Sequence, residues 1–181
     1  MNLFIMRHGT TVWNEKRLTQ GRRQNRLSQS GKTMTEQVAL DFASTPIDII
    51  YTSPLMRTVQ TANIMNQYHH VLIQKEERLT EIDQGIFTGV PGYNLTPKQR
   101  QQKASKDPAC GMESYESVEH RVRQFYEELR TSCPYDNVLI ITHDVTASIL
   151  ELIIQGKKLD FSNPHFRNFG NAEIKHFTID R

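Results

Sequence analysis

Three apolar runs in this chain each end on side chains that can handle phosphate. Leu3-Phe4-Ile5-Met6 delivers Arg7 and His8, and then Gly9, which lets the backbone turn. Asp48-Ile49-Ile50-Tyr51 leads into Thr52-Ser53-Pro54-Leu55-Met56-Arg57, and Val138-Leu139-Ile140-Ile141 leads into Thr142-His143. A neutral imidazole can attack phosphorus and split one difficult transfer into two easier ones, which makes His8 the simplest nucleophile. The transferring phosphoryl group spreads charge over three equatorial oxygens and needs fixed donors around it. Arg7 and Arg57 can supply planar, bidentate contacts. His143 can donate a further hydrogen bond, and Asn14 and the backbone at Gln20-Gly21 can add neutral donors. The leaving alkoxide needs a proton and the following water needs a base, a task for one carboxyl group of suitable pKa. Glu81 is the candidate, in a run that passes Leu79 and Asp83 and reaches Gly85, a pattern that suits a loop at a crevice mouth. Glu15 and Asp83 are the rivals and are read as ordinary surface carboxylates.

Elements must bring these groups together. Helices are predicted over 28–45, with Ser28 as N-cap and Met34, Val38 and Phe42 on the inner face, and over 54–68, opened by Pro54, with an apolar stripe of Leu55, Val59, Ala62 and Met65. A third spans 114–131 with Tyr115, Val118, Val122, Phe125 and Leu129 on one face, and a fourth spans 144–155, stopped by Gly156. Strands are predicted at 2–6, 48–51, 71–74, 137–142 and 172–179. This alternation predicts an α/β three-layer sandwich, with a mainly parallel central sheet and helices on both faces. In such a sheet the C-terminal strand ends face one crevice. The polar stretch Pro91–Gly111, with Lys98, Arg100, Lys103 and Lys106, reads as a helical insertion or lid over that crevice in an otherwise single domain of residues 1–181, or as a solvated basic surface.

The ordered motifs resemble those of the histidine phosphatase superfamily, phosphoglycerate mutase-like branch. They are Arg7-His8-Gly9-Thr10-Thr11-Val12-Trp13-Asn14, Gln20-Gly21, Ser53-Pro54-Leu55-Met56-Arg57-Thr58-Val59-Gln60-Thr61-Ala62, the run from Leu79 through Gly89, and Thr142-His143. The resemblance implies a phosphohistidine at His8 and places the family's general acid–base at Glu81. It implies a small phosphorylated metabolite as substrate. Three departures stand out. Asp144 follows His143 where the family usually has glycine, and is expected to cap the helix beginning at Val145, the competing reading being that its charge reaches the phosphate site. Arg22, Arg23 and Arg26 fill the loop after Gln20-Gly21 and are expected to make the approach more positive, favouring a second anionic group on the substrate. Met112-Glu113-Ser114 stands where the family has Gly-Glu-Ser.

Composition sets the outer bounds. The chain has 181 residues, 37% of them hydrophobic and 23% charged, with a net charge of +2, which is too small to point to nucleic acid or an anionic membrane. No apolar run is long enough to span a bilayer, and no signal peptide is visible. The two cysteines, Cys110 and Cys133, lie outside any metal-ligand spacing and are read as reduced thiols of a cytoplasmic protein. With cations built in and no carboxylate cluster, neither a metal nor another cofactor is expected. The first expectation is a metal-independent phosphomonoester hydrolase. A phosphoglycerate mutase is the second, disfavoured because the chain ends soon after its last strand. A catalytically weak phospho-ligand-binding protein is the third, suggested by Asp144.

Overall fold

A computed structural model describes residues 1–158, 160 and 169–180. Five strands form one sheet: β1 (Asn2–Arg7), β2 (Ile49–Thr52), β3 (Leu72–Lys75), β4 (Asn137–Thr142) and β5 (Ile174–Thr178), in the order β3-β2-β4-β1-β5. The β1–β4, β2–β4 and β2–β3 pairs are parallel, and β5 joins β1 antiparallel. A single helical turn, α1 (Val12–Glu15), follows β1, and the central strands are apolar on both faces, as a covered parallel sheet requires. Leu3, Ile5, Ile49, Val138 and Ile140 pack on one side against α5 (Tyr115–Ser132) and α6 (Asp144–Ile154). Phe4, Met6, Ile50, Leu139 and Ile141 pack on the other against α2 (Gln29–Asp41) and α3 (Met56–Met65). The period of two along each strand thus divides the core into two layers, and the three-layer α/β sandwich expected from the alternation is what forms.

Local sequence explains most element ends. Ser28 caps α2, its side chain accepting from the Gly31 N–H, and Ser114 caps α5 in the same way. Gly156 follows α6 with φ of +63°, a left-handed conformation that glycine takes without strain. In the α2 segment, Val38 and Phe42 pack against the core as expected, and Met34 does not. Met34 is 44% exposed, while Gly31, Thr35 and Ala39 are buried. The cause is close approach. A Cβ on Gly31 would run into the Thr10 carbonyl, and one on Gly9 into Thr35 Oγ1. Gly9 is therefore demanded by the distance between two segments rather than by a turn, since its φ is not positive. Helix α3 opens two residues later than expected, with Leu55 at its N-cap and Pro54 in the preceding bend.

The 91–111 segment holds a short helix, α4 (Pro97–Ala104), opened by a Thr96/Gln99 capping box. Phe87, Leu95, Cys110 and Met112 form a small apolar cluster of their own. Both cysteines are buried free thiols. Among the described residues no helix is long and apolar enough to cross a membrane.

Candidate active site

Register puts the phosphate-handling groups in one row. Arg7 ends β1 opposite Thr142, the last residue of β4, and the His8 N–H donates to the Thr142 carbonyl at 3.0 Å. The Ser53 N–H donates to the Ile141 carbonyl at 3.1 Å, which brings the end of β2 into the same line. Helix α3 then starts immediately and carries Arg57 in its first turn. Above these strand ends lies a cavity of about 580 Å³. Arg7, His8, Asn14, Gln20, Gly21, Arg57 and Glu81 all line it. Seven of the eight residues singled out from sequence therefore meet in one cavity.

His8 is 2% exposed. Its Nδ1 lies 2.7 Å from the Gly9 carbonyl oxygen. A carbonyl only accepts, so Nδ1 carries the proton and Nε2 keeps its lone pair. Burial, then the charges of Arg57 and Arg7, hold the imidazole well below its ordinary pKa. The ring is thus neutral and in the tautomer a nucleophile needs. Glu81 follows the short 3₁₀ turn Glu77–Leu79, and its carboxylate accepts from the Ile82 N–H at 3.0 Å. Burial pushes its carboxyl up, and Asp144 adds to this, while the Ile82 N–H, Arg57 and Arg7 pull the other way. The result is a carboxyl that keeps its proton to higher pH than usual, beside an imidazole that refuses one.

Arg57 is 1% exposed. Its Nε donates to His143 Nδ1 at 3.1 Å, Nη1 to the Arg23 carbonyl at 3.0 Å and Nη2 to the Gly21 carbonyl at 2.8 Å. Burial pulls its pKa down to about 10. A guanidinium has five N–H donors, so two remain for a ligand. Arg7 Nη1 donates to the Phe169 carbonyl at 2.6 Å, and its buried Nε has no protein partner. The Asn14 side-chain oxygen accepts from the N–H and hydroxyl of Thr11, which turns the Nδ2 end into the donor available to a ligand. Gly21 has φ of +49°, a conformation that strains any side chain, and a Cβ there would crowd the Gln84 backbone.

His143 sits differently from the direct phosphate donor expected. It is fully buried and does not line the cavity. Its Nδ1 accepts from Arg57, so its proton is on Nε2, which donates to Ser53 Oγ at 2.8 Å. Burial and the Arg57 charge hold it neutral. Its ring lies edge-on to His8, centroids 5.3 Å apart. His143 therefore contacts Arg57 and His8 from the side away from the cavity.

Two expectations about neighbouring residues are corrected. Asp144 is the first residue of α6 but makes no side-chain cap. Its carboxylate lies 3.9 Å from Arg7 Nη1 and lines the cavity. The capping reading fails because the first-turn carboxylate turns toward the arginine. Nor do Arg22, Arg23 and Arg26 line the cavity. Arg22 pairs with Glu113 at 3.0 Å and donates to the Glu81 carbonyl at 3.2 Å. Glu113 also takes Arg121 at 3.0 Å and the Asp83 N–H at 3.2 Å, and so ties down the loop that carries Glu81. The further cationic side chains that line the cavity are instead Arg100, Lys103, which donates to Thr19 Oγ1 at 2.6 Å, and Lys106, which lies over the Tyr115 ring. The sequence places these three only within a lid or basic surface, and its motifs contain Ser53, Gln84 and Glu113 without giving them a role. Gln20 and Gln84 both line the cavity with side-chain oxygens that are buried and without a protein partner. Of the rival carboxylates, Glu15 accepts from Ser30 at 2.7 Å and Asp83 from the Gly85 N–H at 2.9 Å, and neither lines the cavity. Among the described residues no group of three or more His, Cys, Asp or Glu side chains is arranged to hold a metal ion. Of the histidines outside the motifs, which are read from sequence as surface or supporting groups, His165 lies outside the described residues.

An α/β sandwich with imidazole, guanidinium and carboxyl groups gathered at its strand ends is a phosphoryl-transfer scaffold. The chain belongs to the histidine phosphatase superfamily, branch 1, whose family model matches residues 3–181. Over 179 residues it is 30% identical to a candidate phosphoserine phosphatase of Hydrogenobacter thermophilus, covering 95% of this chain and 88% of that one. Over 165 residues it is 29% identical to phosphoserine phosphatase 1 of the same organism, covering 88% and 78%. A solved mycobacterial glucosyl-3-phosphoglycerate phosphatase superposes with a TM-score of 0.82 at 25% identity, covering 97% of this chain and 88% of that one. The chain is a phosphoric monoester hydrolase of this family.

Proposed function

We propose that this enzyme hydrolyses small phosphate monoesters whose alcohol carries a carboxylate near the ester oxygen, through a phosphohistidine on His8 and without a metal ion. The observation that carries the reading is the pairing of opposite protonation states in one cavity. His8 is a neutral imidazole with its Nδ1 proton held by a carbonyl, and Glu81 is a carboxyl biased toward its protonated form. His8 Nε2 attacks phosphorus as the ester P–O bond breaks, and Glu81 gives its proton to the departing oxygen. Water then attacks the phosphohistidine, Glu81 takes that proton, and the P–N electron pair returns to Nε2. Arg7 and Arg57 hold the equatorial oxygens, with Asn14, Gln20 and Gly21 as neutral donors. His143 orients Arg57.

The substrate class follows from shared chemistry. Phosphoserine and glucosyl-3-phosphoglycerate, named for the relatives, are both 3-phosphooxypropanoates substituted at the second carbon. Such a ligand carries a carboxylate away from its phosphoryl group, and Arg100, Lys103 and Lys106 offer positive charge on the cavity wall. In this reading the 91–111 segment is a lid over the site within one domain of residues 1–181, and the protein is cytoplasmic, with both thiols reduced. The test is phosphate release from para-nitrophenyl phosphate, phosphoserine and phosphoglycerate in EDTA, with wild type and His8→Ala. EDTA-resistant turnover that His8→Ala abolishes is expected. No turnover on any ester, or turnover that survives His8→Ala, overturns the reading.

A further inference from the structure

We propose that Asp144 is a specificity-determining residue that receives an ammonium group on the leaving alcohol, so that the site favours phosphate esters of hydroxy amino acids and amino alcohols. The inference rests on the hydrolase reading above and narrows its substrate class.

Three observations support it. First, Asp144 lines the cavity from the first turn of α6. The N-terminal N–H groups of that helix could donate to a carboxylate, but its N-cap is His143, which makes no side-chain bond to them, and the Asp144 charge complements the helix dipole. Second, Arg7 does not depend on Asp144 for its position. Arg7 Nη1 is held at 2.6 Å by the Phe169 carbonyl, and the 3.9 Å separation from Asp144 is long for an ion pair. Third, Asp144 shares the cavity with Glu81, the group proposed to protonate the departing oxygen.

The physical consequence is a test of ligand charge. A carboxylate beside the phosphate arginines repels a bare phosphoryl group. A ligand that brings an ammonium two carbons from its ester oxygen offsets that repulsion and gains a charge-assisted hydrogen bond. A ligand with a hydroxyl at the same carbon does not. The same cavity has a basic wall at Arg100, Lys103 and Lys106, so ammonium and carboxylate of one amino acid find opposite partners. Discrimination then comes from the repulsive element as much as the attractive one.

The experiment compares O-phospho-L-serine with 3-phospho-L-glycerate, which has the same shape and handedness with a hydroxyl in place of the ammonium. Two readouts are taken: kcat/KM with His8 intact, and calorimetric affinity in a His8→Ala background, each with and without Asp144→Asn. Expected is a preference for phosphoserine of about tenfold, lost in Asp144→Asn and kept in Asp144→Glu, the size of one charged hydrogen bond in a partly exposed site. An equal change on both ligands means that Asp144 only positions Arg7, and overturns the proposal. Selective binding without turnover would leave the ammonium site standing and sink the hydrolase reading instead.

Discussion

Replacing Arg57 by methionine should remove most of the activity while leaving the fold nearly as stable. Two opposing terms decide the stability. Burial pulls the Arg57 pKa down to about 10. A base whose folded pKa is depressed costs stability as long as it stays charged, so the penalty is fully present at any pH below about 10. The drop from the ordinary guanidinium value corresponds to about 3 kcal/mol. Against it stand the acceptors that methionine would orphan. His143 Nδ1 and the Gly21 carbonyl are buried, and each lost donor costs about 1–3 kcal/mol. The Arg23 carbonyl belongs to an exposed loop, where water can replace the guanidinium. The terms nearly cancel, and Arg57→Met should shift unfolding free energy by no more than about 2 kcal/mol. Catalysis has no such compensation, since the lost charge sits where the phosphoryl oxygens gather. A drop in kcat/KM on the order of 10³ is expected for losing one phosphoryl-clamping arginine. Urea denaturation and turnover of para-nitrophenyl phosphate measure the two effects separately. A destabilisation beyond about 4 kcal/mol, or activity within about tenfold of wild type, would refute the reasoning.

Other perturbations test neighbouring parts of the site. The profile of kcat/KM against pH should be a bell: activity is lost as pH falls through the His8 value, which burial sets below the ordinary imidazole, and as pH rises through that of Glu81, which burial sets above the ordinary carboxyl. Glu81→Gln should flatten the alkaline limb and slow alkyl phosphates far more than para-nitrophenyl phosphate, whose leaving group needs no proton; an unchanged limb would assign that titration to another group. Gly31→Ala should destabilise the protein by about 1–3 kcal/mol in thermal unfolding despite the better helix propensity of alanine, because its Cβ meets the Thr10 carbonyl. Joint Arg100→Gln and Lys103→Gln should raise KM for phosphoserine and leave para-nitrophenyl phosphate nearly unaffected, and an equal rise on both would place the carboxylate elsewhere.

What could be read from the chain alone is what depends on short stretches. Apolar runs such as Val138–Ile141 declare buried parallel strands, and the residues that follow each run must emerge at its C-terminal end. That rule carried Arg7, His8 and Arg57 to one crevice, and the alternation of runs with helical stripes carried the three-layer sandwich. The tertiary structure decided whatever depends on a partner distant in the chain. His143 emerges where expected, but the direction of its nitrogens was set by Arg57 on one side and Ser53 on the other. Gly9 was legible as a glycine, and its reason became legible only with α2 pressed against it. The source of the positive charge moved from the 22–26 loop to the 100–106 segment, since Arg22 found Glu113 across the fold. Asp144 marks the boundary most clearly. A first-turn carboxylate is a capping group by local rules, and the fold instead leaves it on the cavity wall, 3.9 Å from Arg7. Local sequence sets which groups a strand end presents, and long-range packing sets what each of them faces.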